Sequence, residues 1–106
     1  MKTIISIFLS ALLSFSAYGA ELNIKSLQGD WLIVEMMGEA NKDGDSWEFK
    51  GKNFYQRIKG MNVSPDAYKV TPGFIDLGYG KIKVTSFNGN AMEAVMGGVK
   101  YKLRKK

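Results

Sequence analysis

Short runs of alternating apolar and polar residues, cut by glycine every few positions, constrain this chain more than any other feature. Trp47 and Phe49 share one face while Glu48 and Lys50 take the other. Phe54, Gln56 and Ile58 oppose Tyr55, Arg57 and Lys59, and Tyr68 and Val70 flank Lys69. Ile75 and Leu77 flank Asp76, and Ile82 and Val84 lie between Lys81, Lys83 and Thr85. Met92, Ala94 and Met96 oppose Glu93, and Val99, Tyr101 and Leu103 oppose Lys100, Lys102 and Arg104. A period of two is that of a strand with one face buried.

Turn chemistry sits between the runs, at 41–45, 50–53, 60–66, 71–73, 78–80, 88–90 and 97–98. Pro72-Gly73 suits a type II turn, because proline presets the first central residue and glycine accepts positive φ. Asn88-Gly89 and Gly97-Gly98 are hairpin signals for the same backbone reason. Seven turns imply eight short strands. The expected fold is therefore all-β, a small antiparallel up-and-down barrel spanning residues 20–106 as one domain. A short helical turn around Ile24–Gln28 is the one helical element expected. In the first strand Trp31, Ile33, Glu35 and Met37 oppose Leu32, Val34 and Met36. Either Trp31 points inward and brings Glu35 with it, or the aliphatic set Leu32, Val34 and Met36 is the core face; a bulge near Glu35 would satisfy both.

Residues 1–19 read differently. Met1-Lys2-Thr3 precedes an uncharged run from Ile4 to Ala20 that ends in Ala17-Tyr18-Gly19. A basic start, an apolar middle and a small-x-small site predict a secretory signal peptide cleaved after Gly19, and a periplasmic location. The apolar stretch is short of the roughly 20 residues a membrane-spanning helix needs. The chain has no cysteine, so stability rests on one packed core without disulfides. Lys2 leaves with the leader, so 14 basic side chains face 10 acidic ones, a net charge of +4. That favours anionic partners, and export argues against nucleic acid.

The chemistry is mostly one of exclusions. The absence of histidine and cysteine removes the usual general base, the thiolate nucleophile and the common zinc ligands. The expected protein is not an enzyme and carries no cofactor or metal. Asn41, Asp43 and Asp45 have the first spacing of a calcium loop. Gly44 is misplaced for one, however, and position twelve is Lys52, so a polar hairpin loop is expected. Gly78-Tyr79-Gly80 likewise reads as a turn. Met92 and Met96 share a face, which raises a thioether Cu(I) site as a minor reading, with core filling as the stronger one.

The head of the first strand, Leu27-x-Gly29-x-Trp31, followed by a meander, resembles lipocalins and the shorter lipocalin-like bacterial domains. That resemblance implies a tryptophan closing one end of the barrel, with a basic residue from the final strand across its ring; Arg104 is the matching position. It also implies a monomeric binding protein that holds a small apolar molecule in or at the mouth of the barrel. Trp31, Trp47, Phe49, Phe54, Tyr68 and Tyr101 are the candidate lining residues. Short strands and large aromatics favour a barrel filled by its own side chains. The alternative is a protein-binding module, an inhibitor or immunity-type factor. It would grip an acidic envelope protein through the outward-pointing Lys81, Lys83, Lys100, Lys102 and Arg104.

Overall fold

The computed structural model describes residues 20–63 and 65–106; the predicted leader lies outside the described residues. A one-turn helix α1 (Ile24–Leu27) precedes eleven strands. These are β1 (Gly29–Met36), β2 (Glu39–Ala40), β3 (Ser46–Lys50), β4 (Asn53–Ile58), β5 (Met61–Asn62), β6 (Asp66–Ala67), β7 (Lys69–Thr71), β8 (Phe74–Asp76), β9 (Lys81–Phe87), β10 (Ala91–Met96) and β11 (Val99–Lys105). All pairings are antiparallel, in the order β5-β4-β3-β1-β11-β10-β9-β8-β7, with β2 on β1 and β6 on β4.

The result is a curled antiparallel half-barrel sheet, with more than the eight strands expected. The surplus arises where strands break. The stretch 61–71 descends as three pieces, bonding β4 through β5 and β6 and then β8 through β7. It therefore bridges the two ends of the sheet path. Because neighbours run antiparallel, successive corners alternate between two ends. Corners 51–52, 72–73 and 88–90 lie on the α1 side of the sheet path, and 37–45, 59–60 and 97–98 on the other. The curl carries 77–80 beside α1 and the 51–52 corner, where Leu77 and Gly78 share a cleft with Ile24 and Lys52.

Alternation fills the interior as the sequence implies. Trp47, Phe49, Phe54, Tyr68, Ile75, Leu77, Ile82, Val84, Met92, Ala94 and Leu103 are buried. Two bulges reset the period. In β1, Ile33 pairs Leu103 and Glu35 pairs Lys102, so Val34 is the extra residue. Trp31 and Ile33 are buried before it, and Met36 rather than Glu35 packs on the core after it. In β9, Val84 pairs Ala94 and Ser86 pairs Glu93, which leaves Thr85 over and turns Phe87 inward, fully buried. An extra residue costs one ladder contact but returns an apolar side chain to the core.

The corners use left-handed backbone where hairpins require it. Gly97 and Gly98 have φ of 59° and 80°, as a two-residue type I′ turn demands. Met37 and Lys59, each followed by glycine, reach φ of 56° and 53° without that freedom.

On the outer face of β1 and β3, Asp30 lies directly opposite Glu48. Two like charges so placed repel. Arg57 of β4 bridges them, with Nη1 3.4 Å from Asp30 Oδ2 and Nη2 3.3 Å from Glu48 Oε1, while its Nε donates to Asn62. Ser46, opposite Arg57, is buried with its hydroxyl unpartnered.

Candidate functional site

Sequence reasoning points to two regions, the aromatic interior and the outer basic wall, and the structure assembles both. Inside, Trp47 sits with its ring centroid 4.9 Å from Tyr101 and 5.6 Å from Phe54. Phe49 lies 5.1 Å from Phe54 and 5.2 Å from Tyr68. Five of the six expected ligand residues are thus joined in one chain of ring contacts at stacking distance. Three surface clefts accompany them. The largest, about 1070 Å³, separates residues 20–25 from Val70–Gly73; others of about 560 and 420 Å³ lie beside Tyr68 and over β10 and β11. Tyr68 lines the second and Tyr101 the third, while Trp31, Trp47, Phe49 and Phe54 line none of the three.

Trp31 closes the α1 end. Its Nε1 donates to the Leu27 carbonyl at 2.8 Å and its ring meets Phe87 at 5.8 Å. The cation across the indole is Lys105, not Arg104. Lys105 is Trp31's register partner, its Nζ is 5.1 Å from the ring centroid, and it donates to the Ser26 carbonyl at 2.9 Å. Arg104 faces solvent opposite Leu32 and Ala91, as strand parity requires of the preceding position. α1 is fixed in turn by its ends. Asn23 and Ser26 exchange backbone and side-chain bonds in a capping box. The Gln28 amide then ties Ile24 to Gly51 and Tyr68.

The Tyr68 hydroxyl donates to the Gly51 carbonyl at 2.8 Å. Burial raises its pKa, opposed by the hydrogen bond from Gln28. Burial alone raises that of Tyr101.

Outside, Lys81 and Lys83 of β9 and Lys100, Lys102 and Arg104 of β11 are all exposed. Residues two apart on a strand stand about 7 Å apart, and strands two apart about 10 Å, so the cations form two parallel rows. β10 lies between, contributing Glu93 opposite Lys102 and Val95 opposite both Lys83 and Lys100. Glu35 stands beside the wall rather than in the core, with Oε2 3.8 Å from Lys102 Nζ. Both partners are well exposed, so this contact holds little energy. Lys81 Nζ lies 5.7 Å from the Phe74 ring.

The other candidate positions serve the fold. In the 41–45 loop, the Asp45 carboxylate accepts from the Lys59 amide at 3.0 Å and the Asn41 side chain donates to the Ile33 carbonyl. Met92 is buried in the core and Met96 packs partly buried against it.

Sequence reasoning missed the exposed apolar positions Met37, Ile58, Met61, Val63 and Tyr79, which are 67, 45, 72, 45 and 74 % exposed. They are scattered: Met37 follows β1, Ile58 and Met61 pair at the end of β4, Val63 bonds back to Gln56, and the Tyr79 hydroxyl reaches Asp66. Compared with family models, curated proteins and solved structures, the chain matches none.

Proposed function

We propose that the protein is a non-enzymatic binding module that engages an acidic partner protein through its β9–β11 wall. One observation carries this reading. Five cations stand solvent-exposed in two rows on the strands either side of β10, with Glu93 of β10 the acid set among them. Such a surface steers an anionic partner and fixes its register, and its contribution falls with added salt. Row spacing suits an extended acidic segment, whose alternate side chains repeat at the same ~7 Å.

A small apolar molecule inside the sheet is the competing reading. It would have to displace rings that already touch one another, and each buried aromatic holds about 1.5–3 kcal/mol of transfer energy. The wall requires no such displacement.

Binding of the full chain to poly-L-glutamate, measured by fluorescence anisotropy at low and physiological ionic strength, tests the proposal. Reversing Lys81, Lys83, Lys100 and Lys102 to glutamate should weaken binding by about tenfold or more. Reversing Lys25, Lys42, Lys50 and Lys52, also exposed, produces the same net charge and should weaken it far less. Equal losses from the two sets would show that net charge alone matters, and the wall reading would fall.

A further inference from the structure

Strand β7 has an open edge beside the largest cleft, and we infer that it takes an extended peptide of a partner protein by strand addition, reading the pattern apolar–any–apolar–acid. Backbone groups of successive strand residues address opposite edges. In β8 and its flanks the Gly73 carbonyl accepts from the Val84 amide at 2.9 Å and the Leu77 amide donates to the Gly80 carbonyl at 2.8 Å, both toward β9. Ile75 shares that direction, so Phe74 and Asp76 turn to β7, where their partners are Thr71 and Lys69. Val70, between those two, therefore directs its N–H and C=O away from β8. Among the described residues no backbone group pairs with them. The neighbouring places on this edge are closed, because the Tyr68 amide donates to the Lys52 carbonyl at 3.2 Å and Pro72 has no N–H. The open place is one residue long.

The clefts along this edge form a trough. Ile24 and Val70 line both the cleft of about 1070 Å³ and that of about 560 Å³, so the two adjoin along β7. Leu22, Ile24 and Pro72 supply apolar walls, and the buried Tyr68 and Leu77 lie beneath the smaller cleft. A trough walled by a strand edge suits an extended chain better than a compact ligand.

Strand parity then fixes what the peptide carries. An antiparallel residue set opposite Val70 exchanges both backbone bonds with it. Side chains directly opposite share a face. Val70 packs partly buried against the core while Lys69 and Thr71 are exposed, so the peptide residue opposite Val70 points inward and is apolar. The residue two before it falls beside Pro72 and is apolar for the same reason. The residue after it stands opposite Lys69, and Lys52 lines the same cleft, so an acid there meets two ammonium groups. Of the acids at the trough, Asp76 already accepts from the Gly78 amide at 2.8 Å, and Glu21 lines only the larger cleft, with Lys25. A fatty amphiphile could use the walls and the lysines but would leave the Val70 N–H and C=O unpaired; a polypeptide uses all three. This edge is separate from the β9–β11 wall, and the inference stands without it.

A synthetic peptide, Gly-Gly-Val-Thr-Leu-Glu-Gly-Gly with fluorescein at its N-terminus, titrated with the full chain and followed by anisotropy, tests the inference. Saturable binding is expected. N-methylation of the leucine removes the N–H that would meet the Val70 carbonyl and should weaken binding by about fivefold or more. Lys52→Glu with Lys69→Glu should weaken it by about tenfold, with recovery when the glutamate of the peptide is replaced by lysine. Lys81→Glu with Lys83→Glu produces the same net charge and should change the affinity by less than about twofold. Absence of saturable binding, an N-methylated peptide that binds as well as the parent, or equal losses from the two lysine pairs overturns the inference. Polyglutamate has no apolar residue and reads the wall alone, so failure of either proposal leaves the other to be judged by its own assay.

Discussion

Replacing Lys105 with methionine should destabilise the protein, whereas the same change at Arg104 should not. Lys105→Met keeps most of the aliphatic stem and removes two interactions, the ammonium over the Trp31 ring and the bond to the Ser26 carbonyl. A cation over an indole contributes about 0.5–2 kcal/mol depending on its hydration. A charge-assisted bond to a carbonyl contributes up to about 1.5–3 kcal/mol. Lys105 is only partly buried, so both stand near the lower bound and their sum is about 2 kcal/mol. In a domain of this size that lowers Tm by about 8–16 °C. Arg104→Met, on an exposed position, should stay within about 0.5 kcal/mol of the parent. Thermal unfolding followed by far-ultraviolet circular dichroism reads both. Trp31→Leu completes a double-mutant cycle. Alone it should cost about 3–4 kcal/mol through lost volume and the orphaned Leu27 carbonyl. With Lys105→Met it should fall short of additivity by about 0.5–1 kcal/mol. Strict additivity, or a larger loss at Arg104 than at Lys105, would refute this account of the closed end.

Three further substitutions test other parts of the fold. Arg57→Met leaves Asp30 and Glu48 facing each other without their shared cation. It should cost about 2 kcal/mol in urea unfolding, with partial recovery on adding Glu48→Gln. Ser46→Ala removes a buried hydroxyl without a partner and should stabilise by up to about 1 kcal/mol, a calorimetric rise in Tm of a few degrees. The raised Tyr68 pKa means the unfolded chain releases that proton first. The stabilisation is complete below about pH 10 and is lost as pH rises through the folded value. Tyr68→Phe should therefore start less stable at pH 8, having lost the bond to Gly51, and decline less steeply in a Tm series above pH 10.

Much of the fold is legible in the sequence because strand parity is local. Trp47, Phe49, Ile75, Ile82, Met92 and Leu103 point inward as their alternation requires. In β1 the alternation leaves two faces open, Trp31 with Glu35 or Leu32 with Val34 and Met36, and the bulge at Val34 reconciles them by burying Trp31 and Ile33 before it and packing Met36 on the core after it. Its counterpart at Thr85 is hidden. Val84, Ser86 and Phe87 look like the end of a strand, and nothing local shows that Phe87 is needed to cover Trp31. The change of partner at the indole has the same root. Parity places Lys105, not Arg104, on the inner side of the last strand, but a terminal lysine reads as solvated surface until α1 supplies a carbonyl for it. The wall is legible for the converse reason, because outward parity and charge agree at five positions. The exposed apolar positions are not, because Ile58 keeps the parity of buried Phe54 and yet lies at the end of β4, beyond the packed interior.

The descending stretch 61–71 has a consequence for how the molecule breathes. Two register pairs join β6 to β4 and three join β7 to β8, with Tyr68 between them. Amide exchange should be fastest along this seam, because it is the thinnest line of bonds around the sheet. Each time it unzips, β4 and β8 present bare backbone, and a neighbouring molecule opened at the same line offers matching strands. Self-association at high concentration would then begin by exchange of strands at 61–71, with the aromatic interior still intact.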